Sequence, residues 1–96
     1  MIVCAALQIK GEINPYIICG LRHSDCFETL YRLNPELSRQ ARANGAIVQG
    51  FINTNGDFLD RYEAYIHACS CGQIPEQLRH DKEEKRETEL YSEDLY

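Results

Sequence analysis

The stretch 46–63 constrains the fold most, because a strand, a tight turn, a second strand and a helix start follow one another there without a break. Residues 46–53 (AIVQGFIN) have the β-branched and aromatic content of a strand. Gly50 within it marks a bulge or a close approach of another backbone. Asn53-Thr54-Asn55-Gly56-Asp57 is the strongest turn signal in the chain, and Asn55-Gly56 suits a primed hairpin turn. Phe58-Leu59 begins the returning strand. Asp60 then caps a helix, with Glu63 as the matching capping-box residue. That helix is expected to run over 61–71, to bury Tyr62, Tyr65, Ile66 and Cys69, and to stop at Gly72.

The amino-terminal part repeats the pattern of hairpin and helix. Residues 2–9 read as a strand, Lys10-Gly11-Glu12 as a turn and residues 16–20 as the return strand. Asp25 starts a helix with Glu28 completing a capping box, and Phe27, Leu30, Tyr31 and Leu33 form its apolar face. Asn34-Pro35 stops that helix and opens another, which ends at Asn44-Gly45. Residues 76–89 are dominated by charge, with Leu78 as the one apolar contact, and read as a solvated helix or a partly mobile spacer. Leu90-Tyr91 and Leu95-Tyr96 restore apolar character, so residues 90–96 should dock on the core or on another subunit. The expected fold is a small antiparallel sheet with packed helices, an α+β single domain over 1–96, with a charged spacer at 75–89. With 96 residues the chain buries only a modest fraction of its surface, which favours a homo-oligomer.

Charge narrows the partners. The net charge is −5, and residues 75–96 supply −4 of it. Such a chain lacks the basic run that drives binding to long nucleic acid through counterion release. Isolated arginines can still grip one small anion in a pocket. No apolar run approaches the ~20 residues that cross a bilayer, and the amino terminus lacks the pattern of a secretory signal. Five cysteines, an odd number without that signal, argue for a reducing compartment and against a disulfide framework. Cys4 and Cys19, set in apolar runs, read as small buried hydrophobes.

Several constellations could carry chemistry. Cys19, His23 and Cys26, with Cys69 and Cys71 far along the chain, could assemble a zinc set, but their spacing matches no paired zinc knuckle. A Cys/His nucleophile pair lacks any accompanying glycine-rich elbow or phosphate loop, so no enzyme, metal or cofactor is expected. In Gly20-Leu21-Arg22-His23 a strand end leads into a helix start, where Arg22 can clamp a phosphate and His23 add a donor. The competing reading pairs Arg22 with a surface carboxylate and uses His23 to bridge a turn. In Gln49-Gly50-Phe51 the glycine admits a flat ligand and Phe51 offers a stacking face, unless Phe51 is simply core. Asp60-Arg61 reads most simply as a helix cap.

Four segments taken together carry a resemblance: residues 2–7 (IVCAAL), 20–23 (GLRH), 49–51 with 55–64 (QGF and NGDFLDRYEA) and 90–96 (LYSEDLY). In this order they resemble the small phage proteins called Thoeris anti-defence sponges, of the first type described. The resemblance covers nearly the whole chain apart from 34–46 and the charged spacer. It implies homodimers that can associate into hexamers and that sequester, without cleaving it, the cyclic ADP-ribose isomer made by bacterial TIR-domain defence proteins. It also implies binding of cyclic oligonucleotides at a separate site, and action in the cytoplasm of the infected bacterial host. Carried onto this chain, it assigns ligand binding to Arg22, His23, Gln49, Gly50, Phe51 and Arg61. Arg79 is a further candidate, in a spacer that lies outside the resemblance. The alternatives are an interaction protein acting on a host protein through its tail and tyrosines, and a zinc or thiol protein.

Overall fold

β1 (Ile2–Ile9) and β2 (Tyr16–Gly20) pair antiparallel as the expected hairpin. The computed structural model describes residues 1–10 and 16–95, so the expected turn at Gly11-Glu12 and the terminal Tyr96 lie outside the described residues. Then follow α1 (His23–Leu33), α2 (Pro35–Ala43), β3 (Ile47–Asn53), β4 (Phe58–Asp60), α3 (Arg61–Ser70), α4 (Glu76–Lys85) and a 3-10 turn, Ser92–Asp94. The strands form one antiparallel sheet in the order β2-β1-β3-β4. This is the α+β architecture the sequence suggests. Among the described residues no helix is long and apolar enough to cross a membrane.

Directly paired residues point to the same side of an antiparallel sheet. Ala5 aligns with Gly20 and Phe51, Leu7 with Ile18 and Gln49, and Ile9 with Tyr16 and Ile47. On this face Ala5, Leu7, Ile9 and Phe51 meet Cys26 and Leu30 of α1, Ala41 of α2, and Ala64 and Ala68 of α3 in one buried cluster. The opposite face carries Cys4, Ala6, Gln8, Ile17, Cys19, Val48, Ile52 and Phe58, none of which joins that cluster. All the helices' buried apolar residues serve the first face, which leaves the second largely uncovered among the described residues, although Ala6 in its middle is fully buried.

Local chemistry explains most boundaries and several differences. The Asn34 side chain accepts from Leu37 N–H at 3.0 Å, with Pro35 in the first turn of α2. Asp60 and Glu63 exchange backbone hydrogen bonds at 2.8 and 3.2 Å, the capping box read from sequence. α1, however, starts at His23, not at Asp25. Asp25 lies one turn in and accepts the Arg22 N–H at 3.1 Å, while Glu28 pairs with exposed Arg32. The hairpin turn is also not primed. Asn53 Oδ1 accepts from Asn55 and Asp57 N–H at 3.0 and 2.9 Å, and of the turn residues Gly56 alone adopts positive φ. At Gly50 a Cβ would stand 2.1 Å from the Leu59 carbonyl oxygen, so this glycine permits close approach; the bulge lies instead in β1, between Ile2 and Cys4.

The buried stripe of α3 is Ala64 and Ala68, with Tyr65 and Cys69 half-buried beside it, whereas Tyr62 and Ile66 are exposed. Small residues let the helix lie close to the sheet, and the large ones turn outward. On α1, Tyr31 and Leu33 are likewise exposed. Cys19 is exposed rather than buried because it points to the uncovered face. The charged spacer is helical through Lys85, and the tail returns to its own core. Leu90 is fully buried, and its N–H donates to the Arg61 carbonyl at 2.9 Å.

Candidate functional site

α1 packs on β1 and β2 with α2 against it, while α3 packs on β3 and β4. Between these two groups a seam opens above β3, and the segments 20–23, 49–51, 60–63 and 90–95 converge along it.

One end of the seam is closed by His23. Its Nε2 lies 2.8 Å from the Gly50 carbonyl, which can only accept, so Nε2 carries the proton. Nδ1 then accepts from the Ser92 hydroxyl at 2.8 Å, and the same oxygen accepts the His23 backbone N–H at 3.3 Å. The ring meets Phe51 edge-on, with centroids 5.0 Å apart. Burial holds the imidazole pKa below its ordinary value; the Gly50 bond opposes this, and the nearby Arg61 charge adds to it. His23 is therefore a neutral strut joining β3, α1 and the tail.

The middle of the seam belongs to Arg61, at the first position of α3. Its Nη2 donates to Gln49 Oε1 at 2.5 Å, and its guanidinium lies over the Tyr91 ring, 4.6 Å from the centroid. Its Nε is buried and has no hydrogen-bond partner. Gln49, Asp60, Arg61, Tyr62 and Glu89 line a hollow of about 420 Å³ here, within the ~300–1,000 Å³ of small-ligand sites. The Lys82 ammonium also lies by Tyr91, 5.0 Å from the ring centroid. Although Lys82 sits in the charged spacer, it is 3% exposed, paired with Asp94 at 2.8 Å and bonded to the Glu89 carbonyl at 3.0 Å.

The seam thus brings together five of the seven residues singled out from sequence, in two roles. His23, Gly50 and Phe51 form its closed, structural end. Phe51 is fully buried, so the stacking face expected of it lies inside the core of the chain. Gln49 and Arg61 form the open hollow. Arg22 caps α1 with its side chain exposed. Arg79 stands apart on α4, 3.8 Å from Glu83, in a groove that Tyr65, Cys69 and Arg86 also line. Tyr91, Ser92 and Lys82 were not singled out as site residues. The apolar finish at 90–96 signalled the first two, whereas a lysine among glutamates carries no mark of burial.

The arrangement supplies donors rather than a nucleophile. Both ring nitrogens of His23 are engaged, and burial pushes the Cys26 thiol up to about 11, which keeps it protonated near neutral pH. A zinc set or a thiol pair that draws on His23 would find both of its ring nitrogens already engaged. Among known proteins, no curated protein and no solved structure matches. A family model described as Phage T4 y16D protein matches residues 1–96.

Proposed function

The chain belongs to the Phage T4 y16D protein family, and we propose that this phage protein is a non-catalytic sponge for a cyclic ADP-ribose isomer. In this reading it acts in the cytoplasm of the infected host, holding the signal away from the effector of TIR-based defence, with cyclic oligonucleotides as further ligands at a separate site. The observation that carries the reading is the state of Arg61. Its guanidinium is oriented in advance by Gln49 and Tyr91, it carries one buried donor without a partner, and it faces a hollow of nucleotide size. A pyrophosphate in the hollow would meet the guanidinium charge, and an already ordered side chain loses little entropy on meeting it. Partial burial lowers the local dielectric and strengthens each charge-assisted bond. Arg22 remains a candidate phosphate ligand, and Gly50, His23 and Phe51 shape the wall behind.

Self-association completes the proposal. Apart from Asp60 at the end of β4, the largely uncovered sheet face carries apolar and neutral side chains on a chain of net charge −5. Two acidic copies meet with least repulsion through such a surface, and interface cores are depleted of charge. A second reading, docking on a host protein, keeps one observation in its favour: Tyr62 and Ile66 project from α3, 54% and 51% exposed. The tail itself no longer supports it, because Leu90 and Ser92 are buried against this chain.

Calorimetry against cyclic ADP-ribose isomers tests the sponge reading. The wild type should bind, and Arg61→Ala should lower affinity by about two orders of magnitude, from loss of a charge-assisted contact worth ~2–3 kcal/mol. Equal affinity in both proteins would remove Arg61 from the site.

A further inference from the structure

The Arg61 hollow does not end at Gln49. A second hollow of about 390 Å³, lined by Phe27, Ala41, Arg42, Gly45, Ile47 and Gln49, shares Ile47 and Gln49 with the first. Ile47 and Gln49 are two apart on β3 and point to the same face, so they form the common floor of one trough between α2 and α3. At its far end the Arg42 guanidinium lies over the Phe27 ring, 4.5 Å from the centroid. That repeats the arrangement of Arg61 over Tyr91 at the near end. Each end therefore presents a cation steadied by an aromatic ring. Between them, Gln49 gives its amide oxygen to Arg61, which leaves its amide nitrogen pointing no bond at any described residue. β4 pairs with β3 only over Gly50, Phe51 and Ile52, so among the described residues no strand covers the outer edge of β3 beside Ile47 and Gln49.

We propose that Arg42 is a second anchoring residue, and that the trough takes a ligand with two separated polar ends, a dinucleotide-like molecule bridged by a diphosphate. Arg61 holds the phosphate end. Arg42 and Phe27 receive the far ribose or base, and the Gln49 amide reads a polar edge between them. This assignment rests on the sponge reading for the chemical class of the ligand and deepens it, since it makes ligand length a determinant of specificity. Arg42 lies within 34–46, the part of the chain that the resemblance to the anti-defence sponges does not reach. It also has an ordinary structural role, in the last turn of α2, where a cation favours the helix dipole. Length discrimination separates the two roles.

The test compares wild type, Arg42→Gln and Arg61→Ala by calorimetry, with a cyclic ADP-ribose isomer and AMP as probes, each variant first checked by thermal melting. Arg42→Gln keeps a side chain of similar reach without the charge. It should weaken binding of the cyclic ADP-ribose isomer about tenfold or more and leave AMP unchanged, because AMP fills only the Arg61 end. Arg61→Ala should weaken both. If Arg42→Gln matches wild type for both probes while Arg61→Ala loses them, Arg42 is no anchor and the sponge reading stands. Equal loss of both probes in Arg42→Gln also overturns the two-ended trough. If the wild type binds neither probe, the sponge reading fails and this inference with it.

Discussion

His23 shows why a residue read as a ligand donor can turn out to be a strut. Its neighbours in sequence, Gly20 to Arg22, end a strand and cap a helix, which suggested an anion site. Its neighbours in space are the Gly50 carbonyl, the Ser92 hydroxyl and the edge of Phe51, all far along the chain. The lowered pKa has a testable consequence. In the unfolded chain His23 should titrate near its ordinary value of ~6.5. Because the folded pKa lies lower, the unfolded chain binds more protons as pH falls from there, so folding stability is full above ~6.5 and is lost as pH falls through the folded pKa. The melting temperature of wild type should therefore drop between pH 7 and 5, before most carboxylates titrate. In His23→Asn, melting should start lower and show a flatter slope across that window. Parallel slopes in the two proteins would mean that His23 is not the group responsible.

At the scale of elements, signals that are local in sequence were legible and signals that depend on tertiary contact were not. The Asn34 cap, the Asp60/Glu63 capping box and the extent of β1 all follow from side chains within a few residues of each other. The inward face of α3 was legible only in part. Of the expected stripe Tyr65 and Cys69 do pack against the core, but close approach to the sheet puts Ala64 and Ala68 innermost and leaves Tyr62 and Ile66 exposed. The burial of Lys82 likewise depends on Asp94 and Tyr91, which only the fold brings to it. Of the candidate site, Gln49 and Arg61 were legible as separate motifs, but their hydrogen bond was not, and Arg42 carried no signal. The uncovered sheet face gives the element-scale prediction. Ile17 lies on it, 39% exposed and outside the core cluster, so Ile17→Lys should leave the fold intact. Light scattering should give the wild type a mass that is a multiple of the 11.1 kDa chain, and Ile17→Lys a single-chain mass, because a buried lysine at such an interface costs several kcal/mol. A monomeric wild type would remove self-association, and an unchanged oligomer in the variant would place the interface elsewhere.

For the molecule as a whole, the four family-like segments prove to be one structural unit: the tail closes over the helix starts and fixes Tyr91 against Arg61. Such a chain carries most of its negative charge in residues 75–96, and the trough above β3 sets Arg42 and Arg61 beside the carboxylates of Asp60 and Glu89. In the proposed reading the trough holds the ligand's phosphates, while both ring nitrogens of His23 are engaged and the Cys26 thiol stays protonated near neutral pH. In this reading the ligand is held and never cleaved. The direct measurement saturates the protein with a cyclic ADP-ribose isomer, removes free ligand, denatures the complex by heat and analyses the released nucleotide by chromatography and mass spectrometry. The account predicts recovery of the cyclic isomer unchanged, in fixed proportion to protein. Release of a linearised or hydrolysed product, or of no nucleotide, would contradict it.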